Sequence, residues 1–220
     1  MRLKFGLFLV ILTLGIRAAQ SQLPYQPVIE KYKSFLIAQD TTSTDSIKLW
    51  TSTLQADGAW ADLNYKDQNS SSWKTTEHLN RLVKISIAYH KTTSAFYKNK
   101  QMWEVIVNAT NHWLSKNYKN SNWWYNEIGV PQFWRDILTL NADFFAGNER
   151  KKALEILAHY NLKPNFTGAN LTWSADLAMH YGLFTKNDSL INKASKLIAN
   201  EIKLSNGEGI RPDYSYHQHG

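Results

Sequence analysis

Asn122-Trp123-Trp124-Tyr125-Asn126-Glu127-Ile128-Gly129-Val130-Pro131-Gln132 is followed by Phe133, Ile137, Leu140 and Phe144 at steps of three and four. The spaced apolar residues predict an amphipathic helix. Gly129 and Pro131 predict a break in the backbone between the aromatic cluster and that helix. Three contiguous aromatic rings between two asparagines have two uses. They close a junction between helices, or they form a stacking platform for flat apolar faces such as the C–H side of a sugar ring.

The same helical spacing recurs in both directions from this stretch. Leu79, Leu82, Ile85 and Tyr89 form one stripe, and Met102, Ile106, Ala109 and Trp113 another. Trp173, Leu177, His180 and Phe184 form a further stripe, as do Leu190, Ala194, Ile198 and Ile202. Shorter helices are predicted near Val28–Gln39, Ser46–Gln55 and Glu149–Tyr160, and no run alternates long enough to predict a strand. Turn signals at Asn99-Lys100, Gly147-Asn148, Pro164 and Asn206-Gly207 separate the helices. The chain is therefore expected to be all-α. Asp57-Gly58 through Tyr65 echoes Glu208-Gly209 through Tyr216: an acid and Gly, Asp four residues after the Gly, then Tyr three later. A loop recurring after several helices predicts stacked helical hairpins that present equivalent loops on one face.

A chain of 220 residues is long enough for one domain with a substantial core. Its net charge is +7, but Arg2, Lys4 and Arg17 supply three of the 25 basic residues. Without them 22 basic residues face 18 acidic ones, a balance of +4 that suits an acidic polymer and is too small to argue for nucleic acid. Nine Trp and eleven Tyr fit a carbohydrate-active protein or a Trp-rich core. No cysteine is present, which excludes disulfides, thiolate zinc sites and a cysteine nucleophile. Residues 1–21 read as a secretory signal peptide: Arg2 and Lys4, then the apolar run Phe5 to Ile16, then Ala19-Gln20-Ser21 before cleavage at Gln22. The run is short for a membrane span. The expectation is a secreted domain over residues 22–220, monomeric and without a membrane segment once the signal is removed.

Chemistry-bearing residues are few. Asn170 follows Gly168-Ala169 at the start of a predicted helix, where Asn commonly caps free backbone N–H groups, with Thr167 as a rival for that position. His219 and His217 lie in the terminal Tyr216-His217-Gln218-His219-Gly220, and an imidazole near neutral pH can move a proton. The remaining histidines show no metal-ligand spacing, so neither a metal site nor a cofactor is expected. Asp57, Asp62, Glu208 and Asp213 leave open a carboxylate pair of the glycosidase type. Sequons stand at Asn69, Asn108, Asn165, Asn170 and Asn187. The one at Asn170 would block that residue if glycosylated.

Three motifs in order, Asn122-Trp123-Trp124, Thr167-Gly168-Ala169-Asn170 and Asp213 through Gly220, resemble the family-8 polysaccharide lyases that degrade hyaluronan, chondroitin and xanthan. The resemblance covers about Ser34 to the last residue. It implies an incomplete α/α toroid and β-elimination on uronate-containing acidic glycans. It also implies substrate contacts at Asn122, Trp123, Trp124 and, more loosely, Phe166. Asn170 would hold the uronate carboxylate, and His219 would take part in proton removal. The family's catalytic Tyr lies several residues beyond that His, with an Arg and a Glu further on and a β-sheet domain after the helices. None of these matches a residue before Gly220, so the expectation is a truncated lyase domain. A glycan-binding domain without catalysis and an α/α-toroid glycoside hydrolase remain the alternatives.

Overall fold

The computed structural model describes residues 25–142, 145–163, 165–207 and 209–217. Eight α-helices make up the described chain: α1 (Gln26–Gln39), α2 (Thr44–Thr53), α3 (Glu77–His90), α4 (Lys100–Lys116), α5 (Val130–Asn141), α6 (Gly147–Leu157), α7 (Gly168–Thr185) and α8 (Asp188–Glu201). The only strands among the described residues are β1 (Gly209–Ile210) and β2 (Tyr216–His217), paired antiparallel. The fold is all-α, an incomplete α/α toroid of helical hairpins. The expected signal peptide, Phe144, Pro164, Glu208 and His219 all lie outside the described residues.

Helix α3 is the centre of the core. Leu79, Leu82 and Ile85 are fully buried and Tyr89 nearly so. Met102, Ile106, Ala109 and Trp113 of α4 and Trp134, Ile137, Leu138 and Leu140 of α5 close over α3. Each fully buried Leu or Ile contributes about 1.5–3 kcal/mol relative to exposure. Side chains start several of the helices. Ser43 caps α2, Asn99 caps α4 and Asn187 caps α8, each accepting the N–H of the residue three positions on. Asn117 and Lys186 end α4 and α7 in the left-handed conformation. Helices α7 and α8 pack as a hairpin whose own small core joins Ala175, Ala178 and Ala194.

The two echoing loops do share geometry. Each follows a helix, and each carries its Gly at positive φ, +82° for Gly58 and +105° for Gly209. Each also closes on the residue after that Gly, with Gln55 N–H bonded to Ala59 C=O and Ser205 N–H bonded to Ile210 C=O. They differ in burial. Trp60 in the first is fully buried, whereas Tyr214 and Tyr216 in the second are exposed. Gly58 is required on a second count, because a Cβ there would lie 2.2 Å from the Asn108 carbonyl oxygen of α4.

Candidate active site

Around Gly129 and Pro131 the chain departs from the expected break. Tyr125–Gly129 forms a π-helical turn that runs straight into α5, with Val130 N–H bonded to Tyr125 C=O. Pro131 sits in the first turn of α5, where its missing N–H costs little. The wide turn absorbs Gly129 and Pro131 without interrupting the helix. Gly129 is needed for space: a Cβ would come within 2.6 Å of the Trp124 ring.

The aromatic segment is held by asparagines. Asn122 Nδ2 donates to Ser70 C=O at 2.8 Å, and its Oδ1 accepts Trp124 N–H at 3.0 Å. Asn126 brackets Asn120, accepting its N–H at 3.1 Å and donating to its C=O at 2.6 Å. The Tyr125 hydroxyl accepts Trp73 N–H at 3.1 Å. Asn122 thus shapes the turn through both ends of its amide.

The turn presents an aromatic surface built from two segments. Trp123 is 41% exposed and lies 5.5 Å from Phe166, centroid to centroid, at 35°. Trp124 meets Trp173 edge-on at 6.1 Å. Trp173 is 39% exposed, so it leaves the core stripe in which its spacing had placed it, while Leu177, His180 and Phe184 are buried. Lys163 joins the segments. Its ammonium lies 4.8 Å from the Trp123 ring centroid, 5.2 Å from that of Phe166 and 3.0 Å from Glu127 Oε2. Neither Lys163 nor Trp173 stands out in the sequence as a site residue. The only signal for Trp173 is its place one turn beyond Asn170.

Asn170 is the third residue of α7, and Thr167 occupies the cap position. The cap reading of Asn170 is thereby replaced. The first N–H of the helix, that of Gly168, is taken instead by Glu201 Oε1 at 2.6 Å. The Asn170 side chain is half-buried and makes no hydrogen bond with the described residues. A free amide in a first helical turn suits an anion, because the helix dipole adds positive potential there. Asn170 and Trp173 stand on one helix face, three residues apart. Asn170, Phe166, Trp173 and the Trp123-Trp124 pair therefore gather at one end of the helical array. His219 lies outside the described residues, and its neighbour His217 is exposed on β2.

Beside Trp124 a cleft of about 400 Å³ is lined by Tyr125, Gln132, Phe133, Arg135 and Asp136. Arg135 forms its charged floor. Its guanidinium donates to Asp136 at 2.9 Å, pairs with Asp176 and stacks 5.1 Å from the Tyr32 ring centroid. Burial works against a charged Asp176, but His180 and Arg135 outweigh it and hold the carboxyl below its usual range. Burial and the Asp136 carboxylate push the Tyr32 hydroxyl far above its ordinary pKa, so it stays protonated and donates to Asp136 at 2.8 Å. These charges tie α1, α5 and α7 together beneath the cleft. Among the described residues no group of three or more His, Asp or Glu is placed to hold a metal ion.

A family model described as polysaccharide lyase family 8, N terminal alpha-helical domain, matches residues 17–220. The chain belongs to polysaccharide lyase family 8. Its relatives within the family include chondroitinase-AC of Pedobacter heparinus, 33% identical over 180 residues, covering 76% of this chain and 24% of that protein. Xanthan lyase of a Bacillus species is 25% identical and covers 74% of this chain and 20% of its own length. The structure of a chondroitinase AC lyase solved with oligosaccharides superimposes with a TM-score of 0.76 at 29% identity, covering 89% of this chain and 30% of that one. The chain therefore spans about a quarter of the family-8 lyases it matches, and the match falls on their helical domain.

Proposed function

We propose that this chain is the sugar-holding helical part of an exported polysaccharide lyase that cleaves uronate-containing glycans by β-elimination. The observation that carries the reading is the exposed aromatic surface of Trp123, Trp124, Phe166 and Trp173 beside the first turn of α7, where the Asn170 amide has no partner among the described residues. The lyase names of the relatives supply the reaction class, and a crystal complex of the Streptomyces coelicolor chondroitin AC lyase with chondroitin sulphate supplies an acidic ligand class.

In this reading the exposed indoles stack on the sugar's C–H faces and fix its register. Asn170 donates to the uronate carboxylate. That bond strengthens as the C5 proton leaves and charge builds on the carboxylate. A base removes the proton, the C4–O bond breaks, and the departing oxygen takes up a proton. His219 is assigned to the proton-removal step on its Gln-His-Gly setting alone. Elimination leaves a C4–C5 double bond conjugated to the carboxylate, and hydrolysis leaves none. The test follows the ultraviolet absorbance of unsaturated uronate during incubation with chondroitin, hyaluronan and xanthan. It uses this chain and a version continued into the sheet domain of its relatives. Unsaturated product that is lost in Asn170→Ala supports the reading. Shortened glycan without the absorbance would turn it toward hydrolysis.

A further inference from the structure

A second anion-ready feature lies off the aromatic platform. The C-terminal turn of α4 and the outer face of α6 enclose a groove of about 310 Å³, lined by Asn117, Lys119, Lys152, Glu155, Ile156 and His159. A smaller pocket that shares Asn117, Lys119, Ile156 and His159 with this groove is also lined by Asn126 of the aromatic turn and Val130 of α5.

The charges in this groove are unbalanced. Lys119 Nζ donates to His159 Nδ1 at 3.4 Å, a contact that requires a neutral imidazole, and no carboxylate pairs with Lys119 among the described residues. Lys152 likewise has no acidic partner there. Glu155 is the one acid in the lining; it pairs with Lys151 at 3.9 Å, and its charge also bears on His159. Burial lowers the pKa of Lys119; burial, with the nearby Lys119 charge, lowers that of His159. Burial thus works against the charged form of both groups, and an anion placed between them would favour it.

We propose that this groove is a second binding site for the sulfate or carboxylate groups of an acidic glycan, with Lys119, Lys152 and His159 as its contacts. It takes the ligand class from the proposed function but stands apart from the platform of Trp123, Trp124 and Asn170. A polymer held at both places gains affinity through linkage, so the groove favours long chains over short oligosaccharides. Charge-assisted bonds from two lysines in a half-enclosed groove supply its share.

The test titrates the 220-residue chain with sucrose octasulfate, a compact polyanion without uronate, and follows the His159 ring signals by NMR, assigned with His159→Gln. The expected result is a saturable His159 shift in the unaltered chain and in Trp123→Ala. In Lys119→Met/Lys152→Met the dissociation constant should rise at least fivefold. The control is Lys48→Met/Lys100→Met, which removes two exposed lysines elsewhere and should change little. No His159 shift, a shift unaltered in the groove variant, a shift lost in Trp123→Ala, or equal weakening in the control would overturn the site. Failure of the lyase reading shows separately, as absence of unsaturated product, and leaves this readout unaffected.

Discussion

Among the nine tryptophans, neighbours in sequence do different work. Trp134 is completely buried between α5 and the rest of the core, whereas Trp123 is 41% exposed on the aromatic platform. Trp134→Ala should cost about 3–5 kcal/mol in a denaturant melt. Trp123→Ala should cost far less, yet weaken binding of a chondroitin oligosaccharide by about 0.5–1.5 kcal/mol, the scale of a specific ring contact. A melt in which both variants lose stability equally would return Trp123 to a packing role. His78 supplies a pH prediction. Its Nε2–H donates to Ala109 C=O at 2.9 Å, so in the neutral ring Nδ1 accepts the Tyr65 hydroxyl at 2.9 Å. Burial, helped by His112 and Arg81, pushes its pKa down to about 3. In the unfolded chain His78 takes up a proton below about pH 6.5, while the folded chain refuses it until near pH 3. Its contribution to stability is therefore complete above pH 6.5 and is lost as the pH falls through that window, by at most about 1.4 kcal/mol per pH unit. His78→Phe should be less stable at pH 7 and lose less on going to pH 4, as read from urea melts at each pH.

At the scale of elements, the π-helical turn Tyr125–Gly129 decides where the platform points. Its asparagine bonds fix the entry, and the absence of a side chain at Gly129 lets the Trp124 ring lie against the backbone. Gly129→Ala puts a methyl carbon 2.6 Å from that ring, so the indole must move. The expected outcome is a loss of about 1–3 kcal/mol in stability, the usual range for overpacking, together with weaker glycan binding. A fluorescence melt and a binding isotherm on the same sample check both. Unchanged binding would mean that Trp124 takes no part in holding sugar. The turn also shows why the break at Gly129 and Pro131 did not survive folding. Proline ends a helix only where its N–H is required, and here it falls in a first turn after a widened one.

For the whole molecule, export is the expectation that the N-terminal sequence carries. Mass spectrometry of the secreted protein should find a chain beginning at Gln22, and an intact Met1 would refute processing. The helices and their order were legible in the sequence because a 3.6-residue period is a local property, seen in Leu79, Leu82 and Ile85 without reference to any neighbour. The platform residues Trp123 and Trp124 were legible because three aromatic rings in a row are conspicuous wherever they fold, and the motif order carried the family. Phe166 joined them only through the family resemblance, and Trp173 was not foreseen: Phe166 reaches Trp123 across 43 residues and Trp173 reaches Trp124 across 49, and no periodicity encodes such pairings. Trp173 fits the α7 stripe by spacing, yet a stripe shows only which residues share a face, and Trp173 stands exposed beside Trp124 while Leu177 below it is buried. Beside the site role implied by resemblance, Asn170 also had a cap reading, with Thr167 as its rival, because Asn is favoured at helix starts. The folded chain put Thr167 in that position and brought Glu201 from the far end of α8 to take the first N–H. The Asn170 amide has no partner among the described residues, and only the packing of α8 on α7 decides which carboxylate reaches the helix start.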